Sequence, residues 1–280
     1  MRGRAAFEAA AAIAFLSVMD AVIKGVAARF PTFEVTFLRY LFGTFVIILV
    51  AAVRRPGWPS WETVRANLYR AVLVVITATS FFYALGVLPL AETLALSFLS
   101  PLFVAFFAVV LLREKVDARI LAALAFGFCG MVVIVAGQPA GSFDGSLWGV
   151  AAVLLSTVTY ALSMVLLRAR AQRDAAITIV AIQNVAPALM LAAPAAAVWV
   201  PPGIGDWPLL AVIGVLGVAG HLLMAHAYAR AEAARLAPLE YTALIWAALL
   251  GYAFFGETPT LGTVAGAALI MVGAIVVSRR

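Results

Sequence analysis

The chain has 280 residues, of which 65% are hydrophobic and 11% charged, with a net charge of +6 and a pI near 9.9. Ordinary soluble domains are about a quarter charged, so a water-soluble globular fold is excluded. The bases sit in short segments between apolar stretches, where they read as topology signals that also meet anionic lipid headgroups, not as a nucleic-acid surface.

Apolar stretches of the roughly 20 residues needed to cross a hydrocarbon core recur along the whole chain. Ten spans are predicted, at 5–28, 33–53, 67–88, 91–112, 118–137, 146–167, 175–199, 207–229, 236–255 and 259–278. Met1-Arg2-Gly3-Arg4 before the first apolar run has the charge of a signal peptide. The run continues to Ala28 and carries Asp20 and Lys24, which fits a retained first span better. Arg54-Arg55-Pro56-Gly57-Trp58-Pro59 cannot continue a helix. Leu88-Pro89 makes a tight corner, Gly137-Gln138-Pro139-Ala140-Gly141 separates two halves (1–137 and 146–280), and Pro201-Pro202-Gly203 ends span seven. Trp58, Trp61, Trp199 and Trp207 fall near span ends, as interfacial anchors do.

The bases alternate with the spans. Arg2 and Arg4 precede span one; Arg54, Arg55, Arg65 and Arg70 are assigned to loop 2–3; Arg113, Lys115 and Arg119 to loop 4–5. Arg168, Arg170 and Arg173 follow in loop 6–7, Arg230 and Arg235 in loop 8–9, and Arg279 and Arg280 at the end. These sixteen share one side; Lys24 and Arg29 alone fall on the other, and Arg39 lies inside span two. The positive-inside rule then predicts both termini in the cytoplasm of a cell with an inner (plasma) membrane.

One motif occurs twice. Leu111-Leu112-Arg113-Glu114-Lys115-Val116 leads into a small-residue helix reaching Gly130, and Phe255-Gly256-Glu257-Thr258-Pro259-Thr260 into another reaching Gly273. Both glutamates precede their glycines by the same interval, yet only the first is flanked by bases. The copies therefore belong on opposite membrane faces, five spans apart, which is the pattern of an inverted repeat in a secondary transporter. Tyr83-Ala84 is echoed by Tyr228-Ala229, and Ser17, Asp20 and Lys24 on one helix face by Ser156, Thr159 and Ser163.

These residues resemble the drug/metabolite transporter superfamily, in its EamA-type branch. The carriers of the resemblance are the two glutamate–glycine motifs, Arg39 within Phe37-Leu38-Arg39-Tyr40-Leu41, and Pro101 after Ser100. Trp246 and Ala247 stand in the corresponding region of the second half, without a proline. The resemblance covers essentially the whole chain, and size and layout look closest to YddG-type amino-acid exporters. It implies an all-α membrane fold of ten helices in two inverted five-helix repeats. It implies a cavity between spans 1, 3, 4, 6, 8 and 9, with 5 and 10 peripheral, and export of small metabolites, amino acids first, by alternating access.

Ionisable groups within a bilayer are functional candidates. Asp20 and Lys24, at i and i+4, form either an interfacial ion pair or part of a substrate or gating site. Arg39 either snorkels outward toward Glu34 or lines a vestibule. Glu92 and Glu240 open spans four and nine, either as helix-end carboxylates or at the two mouths of a pathway. These five are the gating or coupling candidates, and Asp20 and Glu92 the candidate proton carriers. Ser17, Thr77, Ser80, Tyr83, Ser97, Ser100, Tyr160, Ser163, His221, Tyr228, Tyr241 and Trp246 complete the expected pathway. Glu114, Gly130, Glu257 and Gly273 are expected to be structural, the glutamates capping and anchoring helix entries. Cys129, the single cysteine, excludes an intramolecular disulfide and fits small-residue packing.

His221 and His226 lack further metal ligands nearby, and no metal or cofactor is expected. No phosphate-binding glycine loop or H-E-x-x-H motif occurs. An uptake or exchange carrier for nucleotide-like or drug-like compounds is the alternative reading. A membrane-embedded transferase is disfavoured because no loop carries a catalytic cluster, and a channel because no charged ring or carbonyl filter is present. The expected partners are a small-molecule substrate and anionic lipid, with no nucleic acid, and the expected state is a monomer or weak dimer.

Overall fold

The computed structural model describes residues 2–27, 29–87, 96–136, 147–256 and 261–278. Among them the regular structure is helical: α1 (Arg2–Ala27), α2 (Thr32–Arg54), α3 (Trp61–Val87), α4 (Ser100–Leu112), α5 (Ala118–Ala136), α6 (Leu147–Ala171), α7 (Ala176–Ala197), α8 (Trp207–Arg230), the single turn α9 (Ala233–Leu236), α10 (Ala243–Phe255) and α11 (Leu261–Ser278). Seven membrane-length apolar stretches are present among the described residues, the last running from Ala233 to Phe254. Shorter ones, Ser100–Leu112, Ala118–Val133 and Val264–Gly273, fall in the other three predicted spans.

Two expectations change. Helix α3 starts at Trp61 and not at 67, because Ser60 accepts a bond from the Thr63 amide (3.2 Å) and caps the first turn. Arg65 therefore lies inside α3 and not in a loop; Arg70, counted among the loop bases although the predicted span 67–88 already contains it, is buried in α3. The span predicted at 236–255 is broken: α9 passes through a 3-10 segment, Ala237–Thr242, before α10. Pro238 sits at the start of that segment, where its missing N–H is tolerated.

The repeat is visible in local geometry. Helices α4 and α10 are each 13 residues long, offset by the same interval that separates Glu114 from Glu257. Each ends on a left-handed residue, Arg113 (φ 55°) and Gly256 (φ 67°). Packing obeys the same exchange. Helix α1 lies against α8 and α10, as α6 lies against α3 and α4; α2 and α7 pair with each other, and α5 pairs with α11. The last pairing is close: a Cβ at Gly130 would come within 2.6 Å of the Gly266 carbonyl oxygen, and one at Gly273 within 2.9 Å of that of Ala123. Both motif glycines are thus where two backbones meet, the usual role of small residues between membrane helices. The whole is an all-α membrane fold of two inverted five-helix repeats.

Candidate substrate site

A buried cation in the bundle comes from a residue that loop assignment hid. Arg70, on α3, is 2% exposed, and its Nε donates to the Ser163 carbonyl oxygen (3.1 Å) and Oγ (3.2 Å) on α6. Neither terminal guanidinium nitrogen meets a protein acceptor among the described residues. Tyr40, Tyr160 and Tyr228 are near enough to act on it electrostatically. Asn67 lies one turn earlier, its carbonyl oxygen accepting from Gln183 Nε2 (2.8 Å). A buried charge is costly unless partnered, so the free side of this guanidinium is chemically suited to an anion. The sequence signal was available: Asn67 and Arg70 at i, i+3 in an apolar helix.

Glu240 is the opposite pole. The 3-10 segment carries it into the core, where it is 8% exposed. Ser100 Oγ donates to Oε2 (3.4 Å) and Tyr228 Oη to Oε1 (3.5 Å), with Tyr160 beside the same carboxylate. The carboxylate makes no helix-capping bond, so its place is explained by three hydroxyls from α4, α6 and α8. Tyr160 and Tyr228 lie within electrostatic reach of both Arg70 and Glu240. A fixed cation and a fixed carboxylate that share two phenols as neighbours can hold a small zwitterion.

The neighbouring pathway residues are arranged unequally. Thr77 and Thr159 share a hydroxyl contact of 2.8 Å between α3 and α6, each also bonded to its own helix backbone. Ser156 is buried on the same face of α6. Asp20 is exposed although it lies within the apolar stretch Arg4–Ile23, with Ser17 half-buried one turn earlier. Arg39 acts electrostatically on Asp20. It does not reach for Glu34: its Nε meets Met19 Sδ (3.2 Å) and its guanidinium lies over the Tyr40 ring (4.4 Å), while Glu34 accepts from the Val200 amide (2.8 Å). The side chain of Lys24, and Glu92 and Glu257 altogether, lie outside the described residues.

Of the other predicted residues, His221 lies within electrostatic reach of Arg70 and Tyr241 within that of Glu240. His221 Nδ1 is bonded to the Gly217 carbonyl of its own helix (2.7 Å). Tyr241 is fully buried, stacked on Phe98 and pressed against Gly127 of α5, and its hydroxyl has no partner among the described residues. Trp246 packs half-buried against the core, Ser80 and Ser97 are half-buried, and Tyr83 is exposed. Cys129 is exposed rather than packed.

At the base-rich end the first motif glutamate joins the two halves. Glu114 Oε1 pairs with Arg168 Nε (3.3 Å), and Oε2 accepts the Ala234 amide (3.0 Å) at the start of α9. Arg168 also donates to the Tyr228 carbonyl (2.6 Å). Glu114 thus caps a helix of the other half; the entry of its own helix α5 is capped by Asp117, which accepts from the Ile120 amide (2.9 Å).

The comparisons agree with this architecture. The EamA-like transporter family matches the chain twice, at residues 4–136 and 147–279. The pseudopaline exporter CntI of Pseudomonas aeruginosa is 32% identical over 270 residues, 94% of this chain and 92% of that protein. An S-adenosylmethionine uptake transporter of Rickettsia bellii is 26% identical, covering 91% of this chain and 86% of its own length. A riboflavin transporter of Rhizobium johnstonii is 29% identical, covering 96% and 88%. A solved structure at 22% identity superimposes with a TM-score of 0.81 over 98% of this chain and 95% of its own, a likeness in fold alone. The chain is a multi-pass membrane protein and belongs to the EamA-like transporter family.

Proposed function

We propose that this transporter is a secondary carrier that exports small metabolites of the amino-acid type across the inner membrane by alternating access. The carrying observation is Arg70, nearly buried and engaged only through Nε. Its two terminal nitrogens match a carboxylate in fork geometry. Glu240, which shares Tyr160 and Tyr228 as neighbours, is the counterpart for an ammonium group. Inverted halves support alternating access because each can take the arrangement of the other. The base-rich loops support a cytoplasmic position for both termini, and the relative named as an exporter supports the outward direction. The relatives named for S-adenosylmethionine uptake favour a second reading, uptake or exchange of another metabolite class.

Counterflow in proteoliposomes, with a labelled metabolite panel and with or without a pH gradient, tests both. Arg70→Ala is expected to cut counterflow of carboxylate-bearing substrates at least about thirtyfold, the loss expected when one side of a buried charge pair is removed. Arg70→Lys is expected to recover little, since a point charge does not replace the fork. A folded Arg70→Ala protein with unchanged counterflow would overturn the site. Reporter fusions at Gly57, Gln172 and the C-terminus are expected to read cytoplasmic, and one at Gly205 external; a reversed pattern would overturn the direction.

A further inference from the structure

We propose that the base-rich face carries a second site, for the phosphate of an anionic phospholipid headgroup. A cavity of about 660 Å³ opens there between the segment after α4 and the end of α6. Five bases line it, Arg113, Lys115, Arg168, Arg170 and Arg173. Two of them are already neutralised: Arg168 by Glu114 (3.3 Å), and Arg170 by Asp174 (2.7 Å) and Glu62 (2.9 Å). Glu232, the remaining acid of the wall, is turned to Arg235 (3.7 Å). Arg113, Lys115 and Arg173 are exposed and meet no carboxylate among the described residues. Three free cations from two separate segments therefore converge on one concavity.

The repeat supplies an internal control. The positions equivalent to Arg113 and Lys115 in the second copy are Gly256 and Thr258. Ending the thirteen-residue helix therefore does not require bases there. A topology signal alone has no need of a shared cavity.

The depth favours lipid over a soluble anion. Leu112 forms part of the wall, and the helix beneath it turns Phe106, Val110 and Leu111 outward. A headgroup phosphate in the cavity would leave its acyl chains beside that apolar surface. Basic pockets at this level are where acidic headgroups bind.

The test uses the full chain in detergent, titrated with dioctanoyl phosphatidylglycerol, dioctanoyl phosphatidylcholine or inorganic phosphate, and read by native mass spectrometry and thermal shift. The triple variant Arg113→Gln/Lys115→Gln/Arg173→Gln is set against Arg54→Gln/Arg55→Gln/Arg65→Gln, which removes equal charge from the same face outside the cavity. At about fivefold per base, the cavity variant is expected to bind phosphatidylglycerol roughly a hundredfold more weakly. The control is expected to stay within about threefold. Lys115→Gln/Arg173→Gln leaves every helix residue intact and is expected to lose about twenty-five-fold if the triple variant does not fold. Equal losses in cavity and control variants would overturn the site, as would equal affinity for phosphatidylcholine. Inorganic phosphate binding as tightly as the lipid would overturn the lipid assignment.

Discussion

The two ends of the bundle are built on the same backbone plan and held by different chemistry. At the base-rich end, residues of one half meet charged partners of the other: Glu114 with Arg168, Glu8 with Arg230, Glu62 with Arg170, Asp117 with Arg235, and Thr63 with Asp174. At the opposite end, among the described residues, one exposed pair joins the halves, Arg29 with Asp206 (2.5 Å), together with the Val200 amide bound to Glu34. The packing is symmetric under exchange of the halves; the charge is not. The positive-inside rule concentrates bases on one face of any such protein. Here acids of the opposite half have recruited several of them, so the residues that set topology also join the two halves at that end.

That account is most exposed at Arg168. Its side chain and that of Glu114 are 13% and 8% exposed. Removing one member strands the other charge in a largely buried position, which costs up to about 3–5 kcal/mol. Arg168→Ala is therefore expected to lower the melting temperature in detergent more than any other single change at either end. Glu114→Gln is expected to cost less, because an amide oxygen still accepts the Ala234 N–H. The double variant Arg168→Leu/Glu114→Leu is expected to recover part of the loss. Equal melting temperatures for wild type and Arg168→Ala would mean that the base-rich end is not held by this pair.

The uncharged contact between α5 and α11 sharpens the comparison, since it joins the halves without ion pairs. Gly130→Ala places a methyl group 2.6 Å from the Gly266 carbonyl oxygen and 2.7 Å from Ile270 Cγ1. Overpacking of this kind costs about 1–3 kcal/mol. Gly273→Ala, with its nearest atom at 2.9 Å, is expected to lie at the lower end of that range. Thermal unfolding of both variants measures it, and an unchanged Gly130→Ala protein would mean the helices part without penalty.

At the opposite end, Arg29→Ala is expected to cost under about 1 kcal/mol. Arg29 is 52% exposed by its side chain, so solvent screens its pair with Asp206. The effect should shrink further as salt rises toward 1 M, where the Debye length is about 3 Å. A loss at Arg29 as large as that at Arg168 would erase the distinction between the ends.

Much of this was legible in the sequence, for a definite reason. Span length, the doubled glutamate–glycine motif and the alternation of bases are one-dimensional signals, and each constrains the bundle before any contact is known. Arg65 lies in the helix and not in the loop because the Ser60–Thr63 cap lets α3 begin before the run of apolar residues does. Arg70 lies within the predicted span, but a base near a span end counts equally well as a topology signal, and its burial depends on α6. Pro238 stands at the edge of the predicted span 236–255, where a proline is as compatible with a helix start as with a break. The pairing of Ser163 with Arg70, and of Glu240 with Ser100 and Tyr228, joins residues far apart in the chain. No periodicity within one helix encodes which neighbour its polar face will meet.

The smallest effect is expected at Asp117, which shares the base-rich end with Arg168 but not its burial. The Ile120 amide is the main influence holding its carboxyl below the ordinary carboxylate range, with Arg235 adding to it. A group depressed in the folded state contributes stability above its unfolded value of about 3.9, and loses that contribution as pH falls through the lower folded value. Asp117→Asn keeps an acceptor for the helix cap and removes only the charge. Its melting temperature should therefore sit slightly below wild type at pH 7, and the gap should close as pH falls below the ordinary carboxylate range and wild type is protonated. A gap that persists unchanged to low pH would assign the loss to a poorer cap and not to charge. A gap as wide as that of Arg168→Ala would mean that an exposed pair at this end matters as much as a buried one, and burial could no longer explain why the two ends differ.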